Sequence, residues 1–193
     1  MSQNRKMSTK TLVLGAVLTA LVIVLQLMGS FIRFGMFSIS LVLIPIVIGA
    51  ATCGTKVSTW LGFIFGVIVL ASGDAAAFLA IDIPGTIITV LLKGTLCGLM
   101  AGIVYNALKS KNSLIAVIAA AVICPVTNTA VFLLGCAFFF LDTLAVWAVG
   151  AGFGENVALY IITVLVGFNF IFELLTNIVL SPVVVRLLNI KNK

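Results

Sequence analysis

Apolar residues run in long blocks along this chain, and charged residues gather between the blocks. The apolar segments fall at about 11–29, 39–55, 57–72, 85–107, 113–140 and 158–188. A helix crossing a bilayer needs roughly 20 apolar residues, so the pattern predicts six membrane-spanning helices that use nearly the whole chain. Sustained two-residue alternation is absent and the blocks are far longer than barrel strands, which argues against a sheet. Segments two and three are separated only by Gly54, Thr55 and Lys56, predicting a tight helical hairpin. The last two blocks exceed a bilayer's need and predict tilted, kinked or extended helices. The opening MSQNRKMSTK and the apolar run behind it look superficially like a signal peptide. That run is too long for such a segment and lacks a convincing cleavage site, so it is taken as a span.

Composition supports this reading. The chain is 63% hydrophobic and 8% charged, with a mean hydropathy of +1.36, whereas soluble domains are about 45–50% apolar. The predicted fold class is therefore an all-α polytopic membrane protein, a single membrane-embedded domain over residues 1–193.

Charge supplies the orientation. Arg5, Lys6 and Lys10 precede the first block, Lys56 joins the second and third, Lys109 and Lys111 join the fourth and fifth, and Arg186, Lys191 and Lys193 close the chain. The alternate connections hold Arg33, Asp74, Asp82, Asp142 and Glu155. Nine basic residues on one side against one on the other form a positive-inside pattern that predicts both termini in the cytoplasm. The net charge of +6 thus reads as a topology signal, not as a nucleic-acid surface. Two connections on the outer side, 73–85 and 141–160, are apolar, aromatic and glycine-containing. They read either as caps or as segments lying along the membrane interface.

Few residues can carry chemistry. The chain has no histidine, and its four cysteines, Cys53, Cys97, Cys124 and Cys136, are widely spaced without a C-x-x-C pair. Neither a zinc site nor a disulfide is expected. No phosphate loop and no hydrolase or metalloprotease motif is present. Only Lys93 and Glu173 are ionisable residues well inside apolar blocks. A charge at the bilayer centre costs at least ~2.5–3.5 kcal/mol, so such residues face a cavity or each other. Both readings stay open: an ion pair tying two helices together, or a polar cavity.

Depth favours the cavity. Lys93 lies ~12 Å into its helix at 1.5 Å per residue, and the cluster Thr127, Asn128 and Thr129 follows Pro125 at a comparable depth in the fifth block. Asn169, Glu173 and Asn177 recur every four residues and share one helical face. Interhelical hydrogen bonds explain one or two such residues more readily than five; together they have the makeup of a pocket for a small polar molecule. Glycine repeats at Gly62 and Gly66 and at Gly94, Gly98 and Gly102 predict close helix packing, and Ala16 and Ala20 give the first helix a smooth face. A pocket with no energy source of its own suggests a binding subunit driven by a partner.

Several stretches together resemble the substrate-binding S component of an energy-coupling factor (ECF) vitamin transporter. They are the alanine motif Ala16–Ala20, ISLVLIPIVIGAATCG (39–54), WLGFIFGVIVL (60–70), GTIITVLLKGTLCGLMAGIVY (85–105), CPVTNTAVFLLG (124–135) and FNFIFELLTNIVLSPVV (168–184). The resemblance implies a bacterial plasma-membrane protein that is not an enzyme and carries no cofactor. ATP would be hydrolysed by two cytoplasmic ATPases joined to a membrane-embedded coupling subunit. Ala16 and Ala20 become the coupling surface, and Lys93, Thr127, Asn128, Asn169, Glu173 and Asn177 become vitamin-binding candidates on helices four to six. The segments 30–38, 73–85 and 141–157 become lids, and transport would involve toppling of the whole subunit. An acidic turn of the riboflavin type is missing before Pro45, which follows SLVLI. The second helix and the NTAVFLLG segment are similar to pantothenate-type components, and Lys93 would suit a carboxylate. Riboflavin, folate, a pyridoxine-like or pyrimidine vitamin and a queuosine precursor are the alternatives. Two other classes compete: an intramembrane enzyme using Glu173 and Lys93 as acid and base, and a small channel or scaffold. The acidic residues are too scattered for the first, and the polar residues cluster at one depth, unlike a pore lining.

Overall fold

The computed structural model describes residues 8–30, 33–34, 37–38 and 41–191. Helix α1 spans Thr9–Gly29 and starts on Ser8, whose hydroxyl accepts from the Thr11 N–H at 3.2 Å. Two short strands, β1 (Arg33–Phe34) and β2 (Phe37–Ser38), pair antiparallel. Helices α2 (Leu43–Cys53) and α3 (Thr55–Ala71) follow. Gly54 joins them at φ +88°, a backbone conformation that side-chain-bearing residues avoid, and this makes the hairpin tight.

A short helix α4 (Ala76–Leu79) leads into α5 (Ile83–Leu108), which has a proline in its first turn, where a missing N–H costs nothing. Asn112 caps α6 (Ser113–Gly135), its Oδ1 accepting from Leu114 N at 2.8 Å and Ile115 N at 3.2 Å. A π-helical segment, Cys136–Phe140, then carries the chain without a break into α7 (Leu141–Gly150). Helix α8 (Val157–Tyr160) passes through a second π-helical segment, Ile161–Gly167, into α9 (Phe168–Lys191).

Among the described residues, four helices are long and apolar enough to cross a membrane: Thr9–Gly29, Ile83–Leu108, Ser113–Gly150 and Val157–Arg186. Leu43–Cys53 and Thr55–Ala71 are apolar but shorter, about 16 and 25 Å at 1.5 Å per residue. Large apolar side chains cover the outside, among them Phe138, Val146 and Val179. Contact with lipid removes the penalty that water would impose on such a surface.

In the predicted lid at 141–157 the first ten residues, Leu141–Gly150, are helix α7, and 151–156 form the connection to α8. The predicted lid at 73–85 holds α4 and the start of α5. Phe31, Ile32, Gly35 and Met36 of the predicted lid at 30–38, together with Arg5, Lys6 and Lys193, lie outside the described residues.

The glycine repeats set the central packing. A Cβ on Gly62 would collide with the Gly94 carbonyl oxygen, and one on Gly98 with the Ser58 carbonyl oxygen. Helices α3 and α5 therefore touch backbone to backbone, as small-residue faces allow. Helix α2 fills the interior beside them, with Leu43, Ile46, Val47 and Ala50 buried. A second apolar cluster, built from Phe78, Cys136, Phe140, Leu144, Ala148 and Tyr160, gathers around α4 and the α6–α7 junction. Between this cluster and the α3–α5 seam lies a cavity.

Candidate ligand-binding site

Side chains from α1, α3, α4, α5, α6, the first π-helical segment and α9 surround that cavity, with Asp74 and Ala75 completing the wall. It encloses about 620 Å³ counting its open mouth, of which about 70 Å³ admits the centre of a water-sized sphere. That room holds several waters at ~10–15 Å³ each.

Aromatic rings make the apolar wall. Phe78 meets Phe132 edge-on at 5.6 Å between centroids, Phe140 at 5.0 Å and Trp147 at 5.9 Å. Lys93 reaches in from α5, its Nζ 5.4 Å from the centroid of Phe132 and 5.9 Å from that of Phe65. Ring faces attract a cation that has left water, so the rings help to hold the lysine in a cavity that Glu173 and Asp74 also line.

Glu173 of α9 is 1% exposed. Its Oε1 accepts from Asn169 Nδ2 at 3.2 Å, one helical turn away, while Oε2 has no hydrogen-bond partner among the described residues. Lys93 and Glu173 line the same cavity.

Other polar atoms are also left open. Gln26 Oε1, Thr89 Oγ1, Asn128 Oδ1 and Asn169 Oδ1 are buried without a partner among the described residues, and all four residues line the same cavity. Thr89 stands where Gly135 of α6 has no side chain; a Cβ there would strike the threonine. Among the described residues no three metal-binding side chains gather. The site's means are thus hydrogen bonding, charge and ring contact.

The six sequence candidates divide. Lys93, Asn128, Asn169 and Glu173 face the cavity. Asn177 is buried one turn further along α9, and its Nδ2 is spent on the Glu173 backbone oxygen at 2.8 Å. Thr127 lines neither this cavity nor the smaller one beside it, whereas Thr129 lines the smaller one with Lys93, Asn128 and Asn169. Ala16 and Ala20 are exposed on α1, and Ala16 borders a groove between α1 and α3 with Gly15, Val57 and Trp60.

Sequence reasoning restricted the pocket to helices four to six and missed α1 and α3. Gln26, Asp74, Thr86 and the four phenylalanines Phe65, Phe78, Phe132 and Phe140 also line it. Gln26 carried a readable signal, a buried amide inside an otherwise apolar run. The phenylalanines carried none, because an aromatic residue in a span is ordinary.

No curated protein and no solved structure matches the chain. The family model described as "ECF transporter, substrate-specific component" matches residues 10–188, which is nearly the whole length and takes in every helix that builds the cavity. The chain belongs to the family of substrate-specific components of ECF transporters.

Proposed function

We propose that this protein captures a small water-soluble vitamin, with pantothenate as the first candidate, for an ATP-driven importer in the bacterial plasma membrane. The observation that carries the proposal is the set of open, buried oxygen atoms around Lys93 in one aromatic-walled cavity. Buried polar atoms are normally paired, so their convergence points to a polar molecule that fills the space. Pantothenate offers a carboxylate for the lysine, an amide and two hydroxyls for the open oxygens, and a dimethyl centre for the rings.

In this reading the chain spans the membrane six times with both termini in the cytoplasm, and the cavity opens to the outer side. Helix α1 presents Ala16 and Ala20 to a membrane-embedded coupling subunit, and two partner ATPases supply the energy. The family works with such partners in general, and a cavity lacking any nucleotide motif fits that division of labour. The enzyme alternative is the weaker reading: of the two acids in the cavity lining, Glu173 is bonded by Asn169 and Asp74 by the Gln26 amide.

The test is direct. The purified protein is titrated with pantothenate, riboflavin, folate, pyridoxine, an aminopyrimidine and a queuosine precursor, and co-purified ligand is identified by mass spectrometry. Tight binding of one of them is expected. Absence of binding to all of them at micromolar concentration would sink the proposal.

A further inference from the structure

Helix α1 places one polar residue deep within an apolar run. Gln26 is 2% exposed and lines the cavity. Its Nε2 donates to Asp74 Oδ2. A carboxylate accepts but does not donate, so this bond fixes which way the amide points. The nitrogen faces Asp74, and Oε1 is the atom left without a partner. Asn169 obeys the same logic, its nitrogen held by Glu173 and its Oδ1 open. Thr89 Oγ1, Asn128 Oδ1 and Glu173 Oε2 complete the set.

Four of these five atoms are carbonyl or carboxylate oxygens, and such oxygens call for polar hydrogens. Two of the amide orientations are dictated by neighbouring carboxylates and not by choice. The smaller adjoining cavity shares Lys93, Asn128 and Asn169 with the main one but does not include Gln26. Gln26 therefore stands on the side of the main cavity away from that chamber.

We infer that Gln26 is a specificity-determining ligand contact, its Oε1 accepting a hydroxyl or N–H hydrogen from a donor-rich small molecule that also engages Asn128, Asn169 and Glu173. The ligand class is a compact molecule with several O–H or N–H groups and an apolar middle that packs on Phe65, Phe78 and Phe132. This inference rests on the reading of the cavity as the vitamin site. It adds that the ligand touches the same helix that carries Ala16 and Ala20, so occupancy is felt directly on that helix.

The experiment uses the full chain and isothermal titration with pantothenate, riboflavin and pyridoxine, then with analogues of the bound vitamin that each lack one hydroxyl. Gln26→Leu is expected to weaken binding by about 10- to 100-fold, the usual cost of losing one buried hydrogen bond. One analogue should lose a similar factor against the parent protein and almost none against Gln26→Leu, which identifies the hydrogen that Gln26 receives. Should Gln26→Leu not elute as a folded monodisperse species, Gln26→Met, of matching length without the amide, replaces it. Unchanged affinity in the variant overturns the contact while leaving the vitamin-site reading intact. Weaker binding in which every analogue loses as much against the variant as against the parent assigns Gln26 a purely structural role and also overturns it. A parent protein that binds neither these three vitamins nor folate, an aminopyrimidine or a queuosine precursor removes the support on which the contact rests.

Discussion

The close seam between α3 and α5 permits a quantitative test through Gly62→Ala. The added methyl would collide with the Gly94 carbonyl oxygen and lie 3.0 Å from its carbon and 3.3 Å from the Gly98 nitrogen. In the reverse direction a Cβ on Gly94 would meet the Gly62 oxygen and come to 3.1 Å from Gly66 N. Every obstructing atom is backbone and cannot rotate away. Non-bonded carbons settle at roughly 3.5–4.0 Å, so the helices must part by on the order of 1 Å along several turns. Overpacking of a tight interior costs about 1–3 kcal/mol, and an unyielding backbone puts this site at the upper end, about 3 kcal/mol. At about 2–4 °C per kcal/mol for a chain of this size, the melting temperature should fall by about 6–12 °C. Ligand affinity should fall with it, because α3 supplies Phe65 and α5 supplies Thr89 and Lys93 to the cavity. Thermal unfolding in detergent, followed by size-exclusion chromatography of heated samples, reads the shift. Gly150→Ala is the control, since a Cβ there meets nothing within 4 Å. A Gly62→Ala protein that melts within about 1 °C of the parent would refute the backbone contact.

Three further outcomes follow from the site. Asn128→Leu and Glu173→Leu should each raise the vitamin Kd by about 100-fold or more, since the losses include hydrogen bonds to charged or fully buried groups; elution and membrane insertion should match the parent, and intact binding in both would remove them from the site. Trp147→Phe should abolish ligand-induced quenching of tryptophan fluorescence and Trp60→Phe should preserve it, because Trp147 packs on the cavity residue Phe78 whereas Trp60 is 51% exposed beside Phe63; the opposite pattern would place the ligand elsewhere. Ala16→Trp should leave vitamin affinity unchanged and block uptake in cells that contain the coupling subunit and ATPases, and full uptake would show that this face of α1 is not the coupling surface.

Where the sequence was readable, a local physical rule was responsible. Hydropathy gave the helices because a bilayer rewards long apolar runs, and the small-residue spacing gave the α3–α5 seam because only a hydrogen atom fits there. The four-residue recurrence of Asn169 and Glu173 became a real hydrogen bond within one helix turn. Thr127, Asn128 and Thr129 could have been divided in advance. Consecutive helical residues point about 100° apart, so one cavity cannot receive all three, and Asn128 is the one it receives. The end of α6 was not readable, because Leu141–Gly150 is as apolar as the span before it and hydropathy does not mark where a helix leaves the bilayer. Gln26 and Asp74, 48 residues apart in sequence, met through the fold alone.

The packing around the cavity also separates fixed walls from adjustable ones. Lys93 and Phe65 stand on α5 and α3, which glycine contacts lock at backbone distance. Helix α1 is held differently: a Cβ on Gly15 would meet Val57 at 3.5 Å, an ordinary van der Waals separation that leaves room for a methyl. A polar tie at this end of the bundle is the Gln26 amide on Asp74, and Gln26 lines the cavity. A ligand that bonds Gln26 therefore acts on α1 itself, and the exposed Ala16 and Ala20 lie on that same helix. On the proposed reading the α3–α5 seam fixes where the vitamin sits, and α1 carries its presence to the proposed coupling face.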